Sequence, residues 1–289
     1  MNLRRRLKRR LRISKPAEGP LSWRGLIELS WFSAFNFVFA ALLIQFFLTL
    51  ETAILLKVFS IDFQYRLFTI IFEWQDSLKW TENHIYLVFG SGPLILSAMG
   101  FLLLFPLKKL RMVGWKTRLF LTWSAFILVN SLPCGIIAGV LFFEGFGFAF
   151  HWFIDSYILR GLIAFIVLII MVYFSSFWKR LFLKASYSSV FINNGNNQRI
   201  FLNNAYLMSF VYGFLILLLF NRPFNNFYWP AVLLGLGYLA ISFLDNTTMR
   251  FKLQITKSDK RIFTSRLQFV CLIILLVLIW LAGSFRINF

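Results

Sequence analysis

A helical, multi-pass membrane fold is what this 289-residue chain predicts, on three observations. Hydrophobic residues make up 59% of it and charged residues 14%, whereas a soluble domain is about half apolar and a quarter charged. The apolar residues gather into runs long enough to cross a bilayer. The basic residues fall in every second gap between those runs. A water-soluble fold of this composition would expose large apolar patches, which soluble monomers rarely do.

Residues 1–30 read as a basic cytoplasmic arm, residues 31–284 as one polytopic domain and residues 285–289 as a short outer tail. Helical crossing takes about 20 mainly apolar residues. Seven runs meet or approach that length: Trp31–Leu56, Ile85–Pro106, Leu119–Phe143, Ile158–Phe177, Phe201–Phe220, Tyr228–Leu244 and Leu267–Ser284. Helices are expected because hydrocarbon leaves a bare backbone N–H or C=O unsatisfied. A β-barrel would need alternation with a period of two along the whole chain. The first run starts too late and is too long for a signal peptide, and no small-residue cleavage site follows it.

Orientation comes from Lys and Arg. Nine lie in residues 1–30, five in 107–118, four in 178–200 and six in 245–266, which is 24 of the 30 in the chain. The other six are Lys57, Arg66, Lys79, Arg160, Arg222 and Arg286. The positive-inside rule then places the N-terminus in the cytoplasm and the C-terminus outside, in a cell (cytoplasmic or inner) membrane. The net charge of +19 is thereby explained as topology, without a nucleic-acid partner. The arm suits anionic lipid headgroups, at about 1 kcal/mol per basic residue near the surface. The remaining partners expected are the bilayer and another membrane protein.

Two connections are more than plain loop. In residues 57–84, Phe59, Ile61, Phe63, Tyr65 and Leu67 alternate with polar residues. That is a strand or hairpin signal, with an interfacial amphipathic segment as the alternative. In residues 178–200, Asn194-Gly195 stands between the apolar stretches Val190–Ile192 and Ile200–Leu202. That spacing predicts a hairpin, or else a polar loop.

Ionisable groups inside spans are candidate functional groups. Glu51 is the one well within a run, near its outer end, and Gln45, Thr49 and Thr52 share a helix face beside it. Asn130 is a further polar candidate. Gly92, Pro93, Pro133, Gly135 and Gly139 are candidates for packing or kinking. Gly135 and Gly139 form a GxxxG, which lets backbones approach closely, and Pro133 reads as an interruption of the third span, as in transporters. His84 and His151, with Glu144 and Asp155, are the weak metal candidates, because no pair has a diagnostic ligand spacing. No cofactor is implied. Cys134 and Cys271 both lie in apolar runs and form no zinc pattern.

Three segments in order resemble the site-2 protease family of intramembrane zinc metalloproteases. Leu50-Glu51-Thr52-Ala53-Ile54 stands where that family has HExxH, and the strand-like Phe59–Leu67 follows it. Gly90-Ser91-Gly92-Pro93 is similar to its Gly-Pro motif, and Asn130-Ser131-Leu132-Pro133 to its Asn-Pro segment. The two metal-binding histidines are replaced by Leu50 and Ile54, and Cys134 stands where a metal-binding Asp is sought. Without zinc there is no activated water. The resemblance therefore implies a degenerate, non-catalytic relative. Beside it stand two readings from the residues alone: a non-enzymatic protein acting through packing or partners, and a transporter of small solutes or lipid. A fourth reading, a metal-dependent membrane enzyme, needs the histidines and outer acids to converge.

Overall fold

The computed structural model describes residues 23–66, 69–72, 80–109, 114–143, 145–186, 195–219, 277 and 287–288. It is a helical bundle with a small sheet at one end. Helix α1 covers Trp23–Val58 and is followed by strands β1 (Phe63–Arg66) and β2 (Thr69–Phe72). A rod then runs from α2 (Glu82–Ile85) through a π-turn (Tyr86–Gly90) into α3 (Ser91–Lys109). Next come α4 (Trp115–Leu141), the short α5 (Phe146–Phe153) and α6 (Tyr157–Lys184). Helix α7 (Gly195–Leu202) continues through a second π-turn (Asn203–Met208) into α8 (Ser209–Leu219), and β3 (Ile287–Asn288) completes the sheet.

Among the described residues, five helical stretches are long and apolar enough to cross a membrane: Gly25–Val58, Glu82–Leu107, Trp115–Leu141, Tyr157–Lys184 and Gly195–Leu218. Each contains or nearly contains one of the first five runs. The sixth and seventh, 228–244 and 267–284, lie outside the described residues apart from position 277. Helix α1 begins at Trp23, inside the segment assigned to the arm. Of its arm, only residues 23–30 are described.

Sequence explains the ends of these elements. Ser60 has a φ of 56°, and Ile61 N–H donates to Leu56 O across 2.9 Å. This is the left-handed C-terminal cap usually given to glycine. Thr81 caps α2, its hydroxyl accepting from His84 N–H. Gly145, with a φ of 52°, turns the chain from α4 into α5, a conformation glycine adopts without strain. Ser156 caps α6 by accepting from Leu159 N–H.

Strands β1 and β2 pair antiparallel, with Phe63 opposite Phe72 and Arg66 opposite Thr69. Strand β3 joins the other edge of β1, with Gln64 opposite Asn288 and Tyr65 opposite Ile287. The sheet order is β2-β1-β3. Part of the expected outer tail is therefore a strand. The segment expected as a second hairpin differs: residues from Gly195 are helical. Gln198, Phe201, Leu202 and Ala205 are all buried, and their spacing is one helix face. Burial of that face overrides the local Asn-Gly signal.

The main core is aromatic. Trp123 stacks on Tyr206 with centroids 5.2 Å apart, and meets Phe37 at 5.0 Å and Phe182 at 4.9 Å. Phe126 stands edge-on to Trp178 and Tyr206. These rings join α1, α4, α6 and the second π-turn. A satellite cluster of Leu56, Ile61, Phe63, Ile85, Val88, Phe89 and Ala149 seats the sheet and α5 on the same end of the bundle. That is the hairpin end; the opposite, basic end carries the starts of α1 and α4. There Arg118 donates to Lys184 O at 3.2 Å, so a cation meets the C-terminal carbonyls of α6.

Helices α3 and α4 are in close contact at Gly100, where an added Cβ would lie 2.5 Å from Val129 N and 2.8 Å from Leu128 Cβ. Gly161 in α6 has open space instead. Gly100→Ala should lower stability by about 1–3 kcal/mol, the usual cost of overpacking. Gly161→Ala should raise it by up to about 1 kcal/mol through helix propensity. Thermal unfolding of both variants in detergent checks this; a Gly100→Ala protein as stable as the parent would mean that α3 and α4 are not held this close.

Candidate functional site

At the hairpin end of α1, Glu51 accepts a hydrogen bond from the Ser91 hydroxyl, which also reaches Leu87 O. Ser91 is the first residue of α3, directly after the π-turn. Gly92 makes the approach possible: a Cβ there would press on the Leu48 side chain and stand 3.0 Å from Glu51 Oε2. Among the described residues, Oε2 is shielded from solvent without a hydrogen-bond partner. The neighbouring Thr52 donates to Leu48 O at 2.9 Å.

Two residues further along α3, Ser131 of α4 lies 3.3 Å from Pro93 O and donates to Leu128 O at 2.7 Å. The three segments carrying the site-2 protease resemblance thus meet in space, Glu51 on Ser91-Gly92 and Pro93 on Ser131. Asn130 is buried beside them but donates to Phe126 O of its own helix at 2.7 Å. Gln45 and Thr49 are buried, and Thr49 donates to Phe46 O at 2.9 Å.

Pro133 does not break its helix. Helix α4 runs unbroken from Trp115 to Leu141. Proline lacks the N–H that would bond the carbonyl four residues back, here Val129 O. Ser97 of α3 takes the vacancy, donating to Val129 O at 2.8 Å. The expected interruption is thus bridged by a helix-to-helix hydrogen bond. Gly139 packs on α5: its added Cβ would come within 3.1 Å of Gly147 Cα. Gly135 is buried in α4. The small residues of α4 serve contacts within the chain.

The histidines take separate duties. His84 stacks on Phe59 at 4.3 Å. His151 Nε2 contacts Gly139 O at 2.8 Å, and its ring stands edge-on to Phe143. Burial pushes the His151 pKa down; the Gly139 carbonyl opposes this, and the charge of Arg160 adds to it. Asp155 is exposed, and Glu144 lies outside the described residues. Among the described residues, no group of three or more His, Cys, Asp or Glu could hold a metal ion. Cys134 is fully buried.

Sequence reasoning missed the serines: Ser91, Ser97 and Ser131 here, and Ser33 and Ser209 at the basic end. Ser91 and Ser131 stand inside the two proline segments, which was the signal available.

Two measurements follow. Ser97→Ala should cost about 0.6 kcal/mol and at most about 1.7 kcal/mol, the range for hydrogen bonds between membrane helices. In a Pro133→Ala background Val129 O regains its own helical donor, so the same substitution should cost less; equal costs in the two backgrounds would break the link between Pro133 and Ser97. For His151, a pKa lower in the folded than in the unfolded state means that unfolding takes up protons between the two values. Stability should therefore fall as pH drops below about 6.5, and His151→Gln should flatten that slope in pH-dependent melting.

No family model, curated protein or solved structure matches this chain.

Proposed function

We propose that this chain is a seven-span protein of the cytoplasmic (inner) membrane, N-terminus inside and C-terminus outside, that acts through packing and partner binding rather than catalysis. One observation carries the reading: polar side chains within the spans are engaged in holding helices together. Trp123 Nε1 donates to Ser33 Oγ at 2.8 Å, and Ser33 donates to Ala205 O. Ser209 donates to Ser30 O at 3.0 Å. Glu51, Ser91, Ser97 and Ser131 do the same at the hairpin end. Intramembrane polar groups on a reaction path are expected to face a cavity; these face backbone carbonyls or one another.

Position of the strands supports the orientation. Helix α8 runs beside α1 in the same direction, since Ser209 meets Ser30 and Gly213 faces Phe37. It therefore points to the hairpin end, where β3 is found. Both ends at one side is what the proposed topology requires if residues 228–244 and 267–284 each cross.

A transporter path between α1 and α4 is disfavoured by rings that fill that interface, with Phe32 5.4 Å from Trp115 and Phe39 5.7 Å from Phe120. The convergence of Glu51, Gly92, Pro93 and Ser131 favours a second reading, descent from the site-2 protease design with the metal ligands lost.

Topology and activity are separately testable. In a background lacking Cys134 and Cys271, Asp62→Cys should react with an impermeant maleimide on intact cells, and Arg5→Cys only after permeabilisation. The opposite pattern reverses the orientation. Metal-dependent peptide cleavage by the purified protein would sink the non-catalytic reading.

A further inference from the structure

The contact between Glu51 and Ser91 brings together more oxygens than hydroxyl protons. Ser91 Oγ lies within hydrogen-bond reach of both Glu51 Oε1 and Leu87 O. A serine hydroxyl has one proton to give. With Ser91 donating to Glu51, two oxygens face each other at Leu87 with no hydroxyl proton between them. With Ser91 donating to Leu87 O, the shortage moves to Glu51. The neighbouring hydroxyl does not fill it, because Thr52 donates to Leu48 O at 2.9 Å. A second proton satisfies both contacts, and the carboxyl is the group that can carry it.

The other carboxyl oxygen is in keeping with this. Among the described residues, Oε2 is shielded from solvent without a hydrogen-bond partner. Gly92 backs onto it so closely that an added Cβ would stand 3.0 Å away. The carbonyl oxygen of a neutral acid tolerates such a place, whereas a carboxylate there is a buried, unpaired charge. Among the described residues, no Lys, Arg or His pairs with Glu51. On its own helix, Lys57 is exposed. On the elements around it, His84 stacks on Phe59, the Tyr86 hydroxyl meets Trp152 O and His151 meets Gly139 O. Asp62 and Glu82 are exposed, Tyr65 and Arg66 belong to β1, and Lys108 and Lys109 stand at the far end of α3.

We propose that Glu51 is a proton-binding site, held as a carboxylic acid at neutral pH. Its O–H donates to Ser91 Oγ, and Ser91 donates to Leu87 O. This chain of two bonds runs from α1 through the first residue of α3 to the π-turn. Losing the proton takes it apart: the carboxylate draws the Ser91 hydroxyl off Leu87 O and sets a charge against Gly92. Proton release therefore loosens α1 from α3 at the hairpin end. The inference rests on this packing and not on the non-catalytic reading; a protein that cleaves peptides would lose that reading and keep the proton.

Infrared difference spectroscopy of the full-length protein in detergent tests it directly. At neutral pH, the parent minus Glu51→Gln should show the C=O band of a protonated carboxyl, shifted in heavy water and replaced by a carboxylate band at alkaline pH. A carboxylate band at neutral pH overturns the proposal. Proton linkage supplies a second readout. An unfolded glutamate ionises at about pH 4.3, so above that pH unfolding of the parent releases the Glu51 proton and stability falls as pH rises. Glutamine keeps a donor to Ser91 without titrating, and the other ionisable groups are common to both proteins. Between about pH 5 and pH 7 the parent's folding equilibrium should weaken roughly tenfold per pH unit relative to that of Glu51→Gln. Parallel pH profiles would overturn the site. Should Glu51→Gln fail to fold, Ser91→Ala decides: loss of the acceptor should move the acid band to higher frequency, and an unmoved band overturns the assignment.

Discussion

The structure depends on one constraint, that a carbonyl freed inside a bundle of apolar helices must find a donor. The described spans contain several departures from the regular helical ladder, and serine hydroxyls from the same or a neighbouring helix bond carbonyls at each. Pro133 releases Val129 O, and Ser97 takes it. The second π-turn is met by Ser33 at Ala205 O and by Ser209 at Asn204 O. At the first, the Ser91 hydroxyl joins the Ser91 N–H on Leu87 O. A serine spans the gap because its short side chain leaves the backbones close. That closeness is what the glycines at 92, 100 and 213 permit.

These bonds do work that apolar burial cannot do in lipid. Tails surrounding the bundle are as apolar as the helices, so association rests on packing and on hydrogen bonds between helices. The two kinds of contact combine differently at the two ends. At the basic end, Trp123 belongs to both, ring-packed among Phe37, Phe182 and Tyr206 while its indole N–H reaches Ser33. At the hairpin end, Glu51 on Ser91 ties α1 to α3 directly beneath the sheet.

Long-range pattern was legible in the sequence, and local deviation was not. The first five apolar runs appear as helices because their length and hydropathy are properties of some twenty residues at once. The alternation from Phe59 to Leu67 carries a period of two, and the paired strand Phe63–Arg66 falls inside it. By contrast, Asn194-Gly195 and Pro133 were read from their own preferences, for a turn and for a break. Each preference was overridden by something distant: burial of Gln198, Phe201 and Leu202 in one case, the Ser97 hydroxyl in the other. The π-turns have no sequence signature at all. The meeting of Glu51 with Ser91-Gly92 could be suspected from motif order, but only tertiary packing places them together.

Strand β3 ties together distant parts of the sequence. Tyr65 and Ile287 are partners across a strand pair although 222 positions separate them. Until β3 is made, that edge of β1 stands open, and open edges invite pairing with foreign strands. The closing of this sheet is therefore a late event in biogenesis, one that waits until all five apolar helices have been synthesised.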